Sequence, residues 1–268
     1  MLFRSCDAHS HIYDARFAVS GPTARMVQQG SVADYRQLQT RLGTSRAVVV
    51  TPAPYRFDNR VTLDAIAQLG VGNARGVAVI APDMSDAELA GLHAGGVRGI
   101  RFTLFDPNTA VTRLEWIEPL ATRVRALGWH VQIHMRGDQI VEHAALLERV
   151  AATMVFDHMG RLPRGATPDH AALSIVARFL EQGRAWVKLS GAYLDSDAPY
   201  DDRAAIARTY IKIAPERVVW GSDWPHPTEV HKPDDTLLFD LLHEWAGSSA
   251  NMRKILVDNP AKLYGFTA

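Results

Sequence analysis

The chain has 268 residues, of which 47% are hydrophobic, and its 29 lysine and arginine residues balance 29 aspartate and glutamate residues. This length fits one barrel of about 250 residues or two smaller domains. A net charge of zero argues against nucleic acid and anionic membranes as partners, because both attract basic surfaces. The single cysteine, Cys6, excludes an internal disulfide, and no run of about 18 apolar residues predicts a membrane-spanning helix. The first residues lack a secretory-signal pattern, so we expect a cytoplasmic protein.

Eight short apolar runs alternate with helical patterns from one end of the chain to the other. Most of these runs are rich in Val and Ile and are apolar at successive residues, which is typical of parallel strands covered on both faces. The predicted strands are Ser5–Ile12, Arg46–Thr51, Arg75–Ile80, Val97–Leu104, His130–Met135, Thr153–His158, Ala185–Ser190 and Arg217–Asp223.

Helix-start signals lie between these runs. Ser85 and Glu88 have the spacing of a capping box, and Thr167 precedes Pro168 as a candidate N-cap. A helix after Thr112 is expected to begin near Pro119, because proline is not tolerated inside a helix. Towards the end of the chain, the pattern predicts an apolar helical face of Leu238, Leu241, Leu242 and Trp245, and a last helix over Ser249–Tyr264.

Eight strands alternating with helices over this length predict a (β/α)8 TIM barrel, formed as a single domain by residues 1–268. The alternative is an open, doubly wound sheet, but no glycine-rich dinucleotide turn follows the first strand. Two longer loops, Tyr13–Gly30 and Asp195–Asp201, are expected to shape the mouth of a site.

Polar residues gather where the predicted strands end, which in a parallel barrel is the face that carries the active site. His9 and His11 are two residues apart on the first strand and therefore share one side of it. His134, His158 and Asp223 end the fifth, sixth and eighth strands. Each of these residues alone could serve structure, as a hydrogen-bonded histidine or a turn-capping aspartate. Together they are the ligand types of a divalent metal or the acid and base groups of a hydrolase.

These strand ends resemble the amidohydrolase superfamily of (β/α)8 hydrolases, which carries H-x-H on the first strand, histidines on the fifth and sixth, and an aspartate on the eighth. Four segments more closely resemble the branch that contains 2-pyrone-4,6-dicarboxylate lactonase, the sugar lactonases and galactarolactone isomerase: Cys6–His11, Val97–Phe102, Phe156–Arg161 and Trp220–Pro227. The resemblance implies catalytic roles for Asp223, His158, His9 and His11.

Two arginines follow strands and suit an anionic substrate. A guanidinium holds a carboxylate through two charge-assisted hydrogen bonds, and the lactonase resemblance implies that Arg101 and Arg161 bind substrate carboxylates. The alternative for each is a rim salt bridge, which contributes little. Trp224 and Tyr193 are expected to shape the wall, and His226 to reach either the site or a neighbouring loop. Further substrate-binding residues are expected at His134, Arg136, Tyr55 and Asn59.

The sequence leaves the metal requirement open. Binuclear members of the superfamily use a carbamylated lysine on the fourth strand, whereas every lysine of this chain lies at or after Lys188, which argues against a metal pair. The lactonase that the chain resembles works without metal, so the leading hypothesis requires no cofactor. If one divalent ion such as zinc is present, the expected ligands are His9, His11, His134 and Asp223, with His158 orienting the bound water.

The predicted reaction is hydrolysis of a small carboxylated lactone of the pyrone-dicarboxylate, muconolactone or sugar-lactone type, with Asp223 as general base for water. A lactone isomerase could use the same residues, and so could a mononuclear zinc decarboxylase of aromatic or muconate acids. A non-catalytic small-acid-binding barrel is a further alternative, but binding alone does not require a base and several imidazoles. The predicted partner is a small molecule, and the oligomeric state stays open.

Overall fold

Eight parallel strands pair in the order of the sequence, from β1 to β8, in a computed structural model that describes residues 3–24 and 30–267. The strands are β1 (Cys6–Ser10), β2 (Arg46–Val50), β3 (Ala74–Ala78), β4 (Val97–Thr103), β5 (His130–His134), β6 (Met154–Phe156), β7 (Ala185–Leu189) and β8 (Val218–Trp220). The Tyr13–Gly30 loop is described except for residues 25–29.

The sheet closes on itself between β1 and the segment that follows β8. The Asp223 amide donates to the His9 carbonyl at 2.8 Å, and the His11 amide donates to the Trp224 carbonyl at 2.8 Å. Gly221 permits this approach, because a Cβ at that position would lie 2.5 Å from the His9 Cβ. Closure confirms the predicted (β/α)8 barrel and excludes the open doubly wound sheet.

Helices cover the outside of the barrel. They are α1 (Val32–Leu42), α2 (Arg60–Leu69), α3 (Asp86–Ala94), α4 (Ile117–Arg125), α5 (Gly137–Glu142), α6 (Ala144–Leu147), α7 (Ala171–Glu181), α8 (Asp201–Ile213), α9 (Asp235–Ala246), α10 (Ser249–Arg253) and α11 (Asn259–Tyr264). A short π-helical segment, Lys254–Asp258, joins α10 to α11. Within the described ranges, no helix combines the length and the apolar character needed to cross a bilayer.

Most of the predicted helix signals are confirmed. The Ser85 hydroxyl accepts the Glu88 amide, while the Glu88 carboxylate accepts the Ser85 amide at 2.7 Å, as in a capping box. Helix α4 begins at Ile117, so Pro119 lies in its first turn, where a missing N–H costs nothing. The Ser249–Tyr264 segment is helical throughout. The apolar face of α9 is buried as predicted, at Leu238, Leu241, Leu242 and Trp245.

The predicted start of α7 is wrong. The helix begins at Ala171, after both Thr167 and Pro168, and the His170 side chain caps it by accepting a backbone N–H. The Thr167 hydroxyl instead donates to the Asp169 carboxylate. Thr167 therefore stabilises the turn before the helix, because it lies four residues before Ala171 and its hydroxyl bonds within that turn.

Apolar residues pack in two layers, one outside the sheet and one inside. The larger layer lies between the strands and the helices and includes Ile133 and Phe156. The smaller layer lies inside the barrel, with the C-terminal residues Tyr264 and Phe266 against it. Its strand residues are Cys6, Ala8, Val48, Val50, Val77, Val155, Trp186 and Val219. The inside of the barrel is therefore a packed floor below the site.

Several strands end earlier than the sequence predicts, because their last polar residues leave the ladder. Strand β6 ends at Phe156 and β8 at Trp220. Beyond them the backbone has φ of 50° at His158, 46° at Arg161 and 62° at Asp223. Left-handed φ is unfavourable for non-glycine residues and is concentrated at functional sites. These turns direct the polar side chains to the mouth of the barrel.

Candidate active site

A cavity of about 610 Å³, including its open mouth, lies at the carboxyl ends of the strands. Six residues that the sequence predicts for the site line it: His11, Arg101, His134, His158, Arg161 and Asp223. His9 lies against this group and is fully buried. Topology therefore brings together residues that are distant in the sequence, as expected for a parallel barrel.

Asp223, His9 and His11 form a compact polar group beside the cavity. Asp223 Oδ1 lies 3.5 Å from His9 Nε2 and 3.4 Å from His11 Nε2, and the two Nε2 atoms are 3.3 Å apart. The His158 ring lies next to them, with its centroid 4.9 Å from that of His9. One small molecule beside Asp223 can therefore contact several imidazoles at once.

A chain of hydrogen bonds holds the far side of Asp223. The Tyr193 hydroxyl donates to Asp223 Oδ2 at 2.7 Å, and Tyr193 Oη lies 3.0 Å from His226 Nδ1. His226 Nε2 in turn lies 2.9 Å from the Asp235 carboxylate at the start of α9. Tyr193 therefore does more than shape the wall, and His226 supports the site from behind. The sequence indicates neither contact, because both depend on how the loops after β7 and β8 fold.

A second polar group lies deeper, at the level of the strands. Asp157 accepts hydrogen bonds at Oδ2 from Arg101 Nε at 2.9 Å and from Gln132 Nε2 at 2.8 Å. The Lys188 ammonium lies 2.7 Å from Gln132 Oε1, 3.1 Å from His9 Nδ1 and 3.5 Å from Asp157 Oδ1. Sequence reasoning missed Lys188 and Gln132. The available signal for Lys188 was a charged residue inside an apolar strand, which is costly unless it is paired.

Burial disfavours the charged form of three histidines of the site, as their pKa values show. It lowers the pKa of His158 to about 4 and the pKa values of His9 and His134 well below their ordinary value. Nearby positive charge acts in the same direction, from Lys188 on His9 and from Arg101 on His134. These imidazoles therefore act near neutral pH as hydrogen-bond donors and acceptors rather than as cations.

Both buried aspartates are ionised. Burial raises the pKa of the Asp157 carboxyl, but the Lys188 ammonium and the Arg101 guanidinium outweigh burial and hold that pKa well below its ordinary value. Burial also raises the pKa of the Asp223 carboxyl, and there the facing imidazoles, led by His158, outweigh it. Two carboxylates thus lie within one barrel with different neighbours and different access to the cavity.

Arg101 and Arg161, which also line the cavity, both direct a guanidinium group at one imidazole. Arg161 pairs through two hydrogen bonds with Asp195, at 2.6 and 2.9 Å, and lies over the Phe105 ring. Its Nη1 also lies 3.3 Å from His134 Nε2, while Arg101 Nη2 lies 3.0 Å from His134 Nδ1. A neutral imidazole accepts only one hydrogen bond. At least one guanidinium N–H therefore faces the ring without an acceptor there.

Three residues predicted to bind substrate lie away from the lining of this cavity. The Tyr55 hydroxyl bonds to the backbone of Asp14. Asn59 is buried, and its amide group bonds to Thr51 and to the Val79 backbone. The exposed Arg136 bonds to the Asp138 carboxylate. The structure does not bring these side chains to the cavity.

Three ligand atoms lie close enough together to hold one divalent ion: His9 Nε2, His11 Nε2 and Asp223 Oδ1, at 3.3 to 3.5 Å from one another. The corners of such a triangle lie about 2 Å from its centre, which matches metal–ligand bonds of about 2.0–2.2 Å. Residues that could bind a metal are therefore present. His134 does not join this group, because both of its ring nitrogens face guanidinium groups.

A (β/α)8 barrel that carries imidazoles and an aspartate at the carboxyl ends of its strands is the architecture of a class of barrel hydrolases. Comparison with known families agrees with this class. The family model described as Amidohydrolase matches residues 6–266. The chain belongs to the amidohydrolase family, and it is an enzyme of that family.

Several characterised proteins are similar to the chain over most of their length. The 2-pyrone-4,6-dicarboxylate hydrolase of Comamonas testosteroni is 34% identical, covering 96% of this chain and 89% of that protein. The 4-sulfomuconolactone hydrolase of Rhizobium radiobacter is 33% identical, with coverage of 97% and 89%. The D-galactarolactone isomerase of Agrobacterium fabrum is 30% identical, with coverage of 86% and 80%.

Proposed function

We propose that this protein hydrolyses a small carboxylated lactone, with Asp223 as the general base. The observation that carries the proposal is one cavity that is lined both by the Asp223 carboxylate and by Arg101 and Arg161. The named activities of the relatives, on a pyrone dicarboxylate, a sulfomuconolactone and a galactarolactone, support this substrate class.

The substrate carboxylate would bind to the two arginines. Arg101 and Arg161 both direct guanidinium nitrogens at His134, which cannot accept from both, so a bound carboxylate would supply the missing acceptor. Binding there fixes the orientation of the lactone ring. A fixed orientation lowers the entropic part of the barrier to attack on the ester.

Asp223 would then remove a proton from a water molecule placed against the ester carbonyl. The Tyr193 hydroxyl occupies Oδ2, which leaves Oδ1 to accept the proton. The water oxygen bonds to the carbonyl carbon, and the negative charge of the tetrahedral intermediate develops on the former carbonyl oxygen.

His158 would stabilise that charge. Its Nδ1 lies 2.9 Å from the Ser190 hydroxyl, so with Ser190 donating, Nε2–H is free to donate into the cavity. One such donor contributes about 3 kcal/mol to the stability of the transition state. The carbon–oxygen bond of the ring then breaks, and protonated Asp223 returns its proton to the leaving oxygen.

The chain's own residues are sufficient for these steps. A divalent ion held by His9, His11 and Asp223 would supply Lewis-acid polarisation of the ester carbonyl. The similarity to D-galactarolactone isomerase supports a second function, lactone isomerisation. In that reaction Asp223 would remove a proton from a substrate hydroxyl instead of from water. Hydrolysis then gives an open-chain product and isomerisation gives a different lactone, and NMR of the products distinguishes the two.

The test is a panel of pyrone dicarboxylate, muconolactones and aldonolactones, assayed by proton release with and without chelator. For an active lactone, Asp223→Asn should lower kcat by about 10²–10⁴-fold, with little change in KM, because it removes a base and not a binding group. Asp240→Asn makes the same chemical change on the exposed face of α9 and should have no effect. Near-wild-type turnover by Asp223→Asn would contradict the base assignment, and inactivity of the wild type on the whole panel would contradict the substrate class.

A further inference from the structure

Lys188 is a fully buried ammonium inside the barrel, and the reaction steps above do not use it. It lies on β7 and faces three acceptor atoms: Gln132 Oε1 at 2.7 Å on β5, His9 Nδ1 at 3.1 Å on β1, and Asp157 Oδ1 at 3.5 Å just after β6. An ammonium has three N–H donors and no lone pair. Two Lys188 protons therefore have hydrogen-bond acceptors and the third faces the Asp157 carboxylate at ion-pair distance, provided that His9 Nδ1 carries a lone pair.

The alternative arrangement leaves a donor facing a donor. Asp157 Oδ1 lies 3.4 Å from His9 Nδ1 and could accept a proton from it. Lys188 would then direct an N–H at a protonated ring nitrogen 3.1 Å away, and the third ammonium proton would have no acceptor. A buried donor without an acceptor is unfavourable, so the first arrangement is preferred.

His9 and His11 consequently carry their protons on opposite ring nitrogens. The carbonyl oxygen of Val50 lies 2.8 Å from His11 Nδ1 and can only accept, so His11 is protonated at Nδ1, and in the neutral ring Nε2 carries the lone pair. His9 is protonated at Nε2, which lies 3.3 Å from His11 Nε2 and 3.5 Å from Asp223 Oδ1. A donor on His9 thus faces two acceptors.

We propose that Lys188 is a positioning residue that keeps His9 as an Nε2–H donor towards Asp223 and so withholds the lone pair that a divalent ion would need. The three ligand atoms have the spacing of a metal site, but Lys188 sets the wrong tautomer on one of them. The catalytic consequence, a donor next to the base, rests on the proposed function. The tautomer assignment and the cation affinity do not.

The first test reads the tautomers directly in the wild-type protein labelled with ¹⁵N-histidine. Long-range ¹⁵N–¹H correlation spectra should show His9 protonated at Nε2 and His11 protonated at Nδ1, with assignment from the spectra of His9→Gln and His11→Gln. A proton on His9 Nδ1 would overturn the proposal. This measurement needs no substrate, so it fails or succeeds independently of the proposed function.

The second test measures Co²⁺ binding by calorimetry and by the visible absorption of the bound ion. Lys188→Met frees His9 Nδ1 to donate to Asp157, which turns the Nε2 lone pair towards His11 and Asp223, and the affinity for Co²⁺ should rise at least about tenfold. Arg101→Met is the matched control, because it removes a cation from Asp157 without touching His9. Equal Co²⁺ affinity in Lys188→Met and the wild type, or an equal gain in Arg101→Met, would overturn the proposal. If Lys188→Met does not fold, the tautomer measurement decides alone.

Discussion

The hydroxyl of Tyr193 offers the sharpest test of Asp223 as the base. Tyr193→Phe removes one hydrogen-bond donor from Asp223 Oδ2, which it contacts at 2.7 Å, and leaves the aromatic ring in place. Asp223 works as a base only when it is ionised, so the rate falls as the pH drops through its pKa. The pKa of Asp223 lies well below its ordinary value in the wild type, and the lost donor had favoured the ionised form.

The size of the effect follows from this one hydrogen bond. A hydrogen bond to a charged group contributes about 1.5–3 kcal/mol, and one pKa unit corresponds to about 1.4 kcal/mol, so the pKa of Asp223 should rise by about 1–2 units. The acid limb of the kcat/KM profile should therefore move to higher pH by the same amount. The rate on the plateau above that limb should change much less, because the base is ionised there in both proteins.

The assay is proton release or product formation from an active lactone, measured across the acid limb at constant ionic strength. Tyr13→Phe is the control, since Tyr13 lines the same cavity, and in the described part of the chain no hydrogen bond joins its hydroxyl to Asp223. Its acid limb should superimpose on that of the wild type. An unshifted acid limb in Tyr193→Phe would refute the reasoning, whatever its effect on the plateau rate.

Three further variants test other parts of the structure. Arg161→Lys should raise KM for a carboxylated lactone about 10–100-fold and change kcat little, because a lysine cannot keep the two-pronged pair with Asp195 and also present an N–H to the substrate carboxylate. An equal effect on a neutral lactone in steady-state kinetics would contradict carboxylate binding. Burial raises the pKa of Asp7 from 3.8 to about 6, so the protonated carboxyl is favoured in the folded state. The stability that this difference contributes is complete below about pH 4 and is lost as the pH rises through about 6. In denaturant titrations Asp7→Asn should remove up to about 3 kcal/mol of this pH dependence, and an unchanged dependence of the unfolding free energy on pH would show that another group is responsible. In Gly221→Ala the new Cβ would lie 2.5 Å from the His9 Cβ, so activity should fall and the protein should lose about 1–3 kcal/mol of stability in thermal unfolding. Gly72→Ala is the matched control, because its Cβ would meet open space.

The centre of the site could be predicted because it depends first on topology. Apolar runs mark where the strands end, and parallel strands in a barrel all present their carboxyl ends at one face. His9 and Asp223 are at opposite ends of the chain, and their side-chain atoms lie 3.5 Å apart. His158, from the middle of the chain, completes the group. The left-handed turns that carry His158 and Asp223 beyond their strands could not be predicted in this way.

The residues that sequence reasoning missed or misplaced depend on register and on loop conformation. Lys188 and Gln132 meet only because β7 and β5 direct those two residues to the same level inside the barrel. Alternation along a strand predicts which face of the sheet each side chain occupies, but it does not predict the register of that strand relative to the others. Tyr55 and Asn59 lie in the connection after β2, where local hydrogen bonds and not strand direction decide where the side chains point.

The different roles of the two buried aspartates follow from their neighbours. Asp157 is fully buried and contacts the Arg101 guanidinium and the Lys188 ammonium, so it is fixed as an anion and cannot readily exchange a proton with a substrate. Asp223 lines the cavity, and its neighbours are the His9, His11 and His158 rings and the Tyr193 hydroxyl, with no ammonium or guanidinium group bonded to it in the described residues. A carboxylate held by hydrogen bonds can accept a proton and return it, whereas one held by two cations would lose both ion pairs on protonation. In the proposed reaction the base is therefore Asp223, and Asp157 holds the Arg101 and Lys188 cations in place.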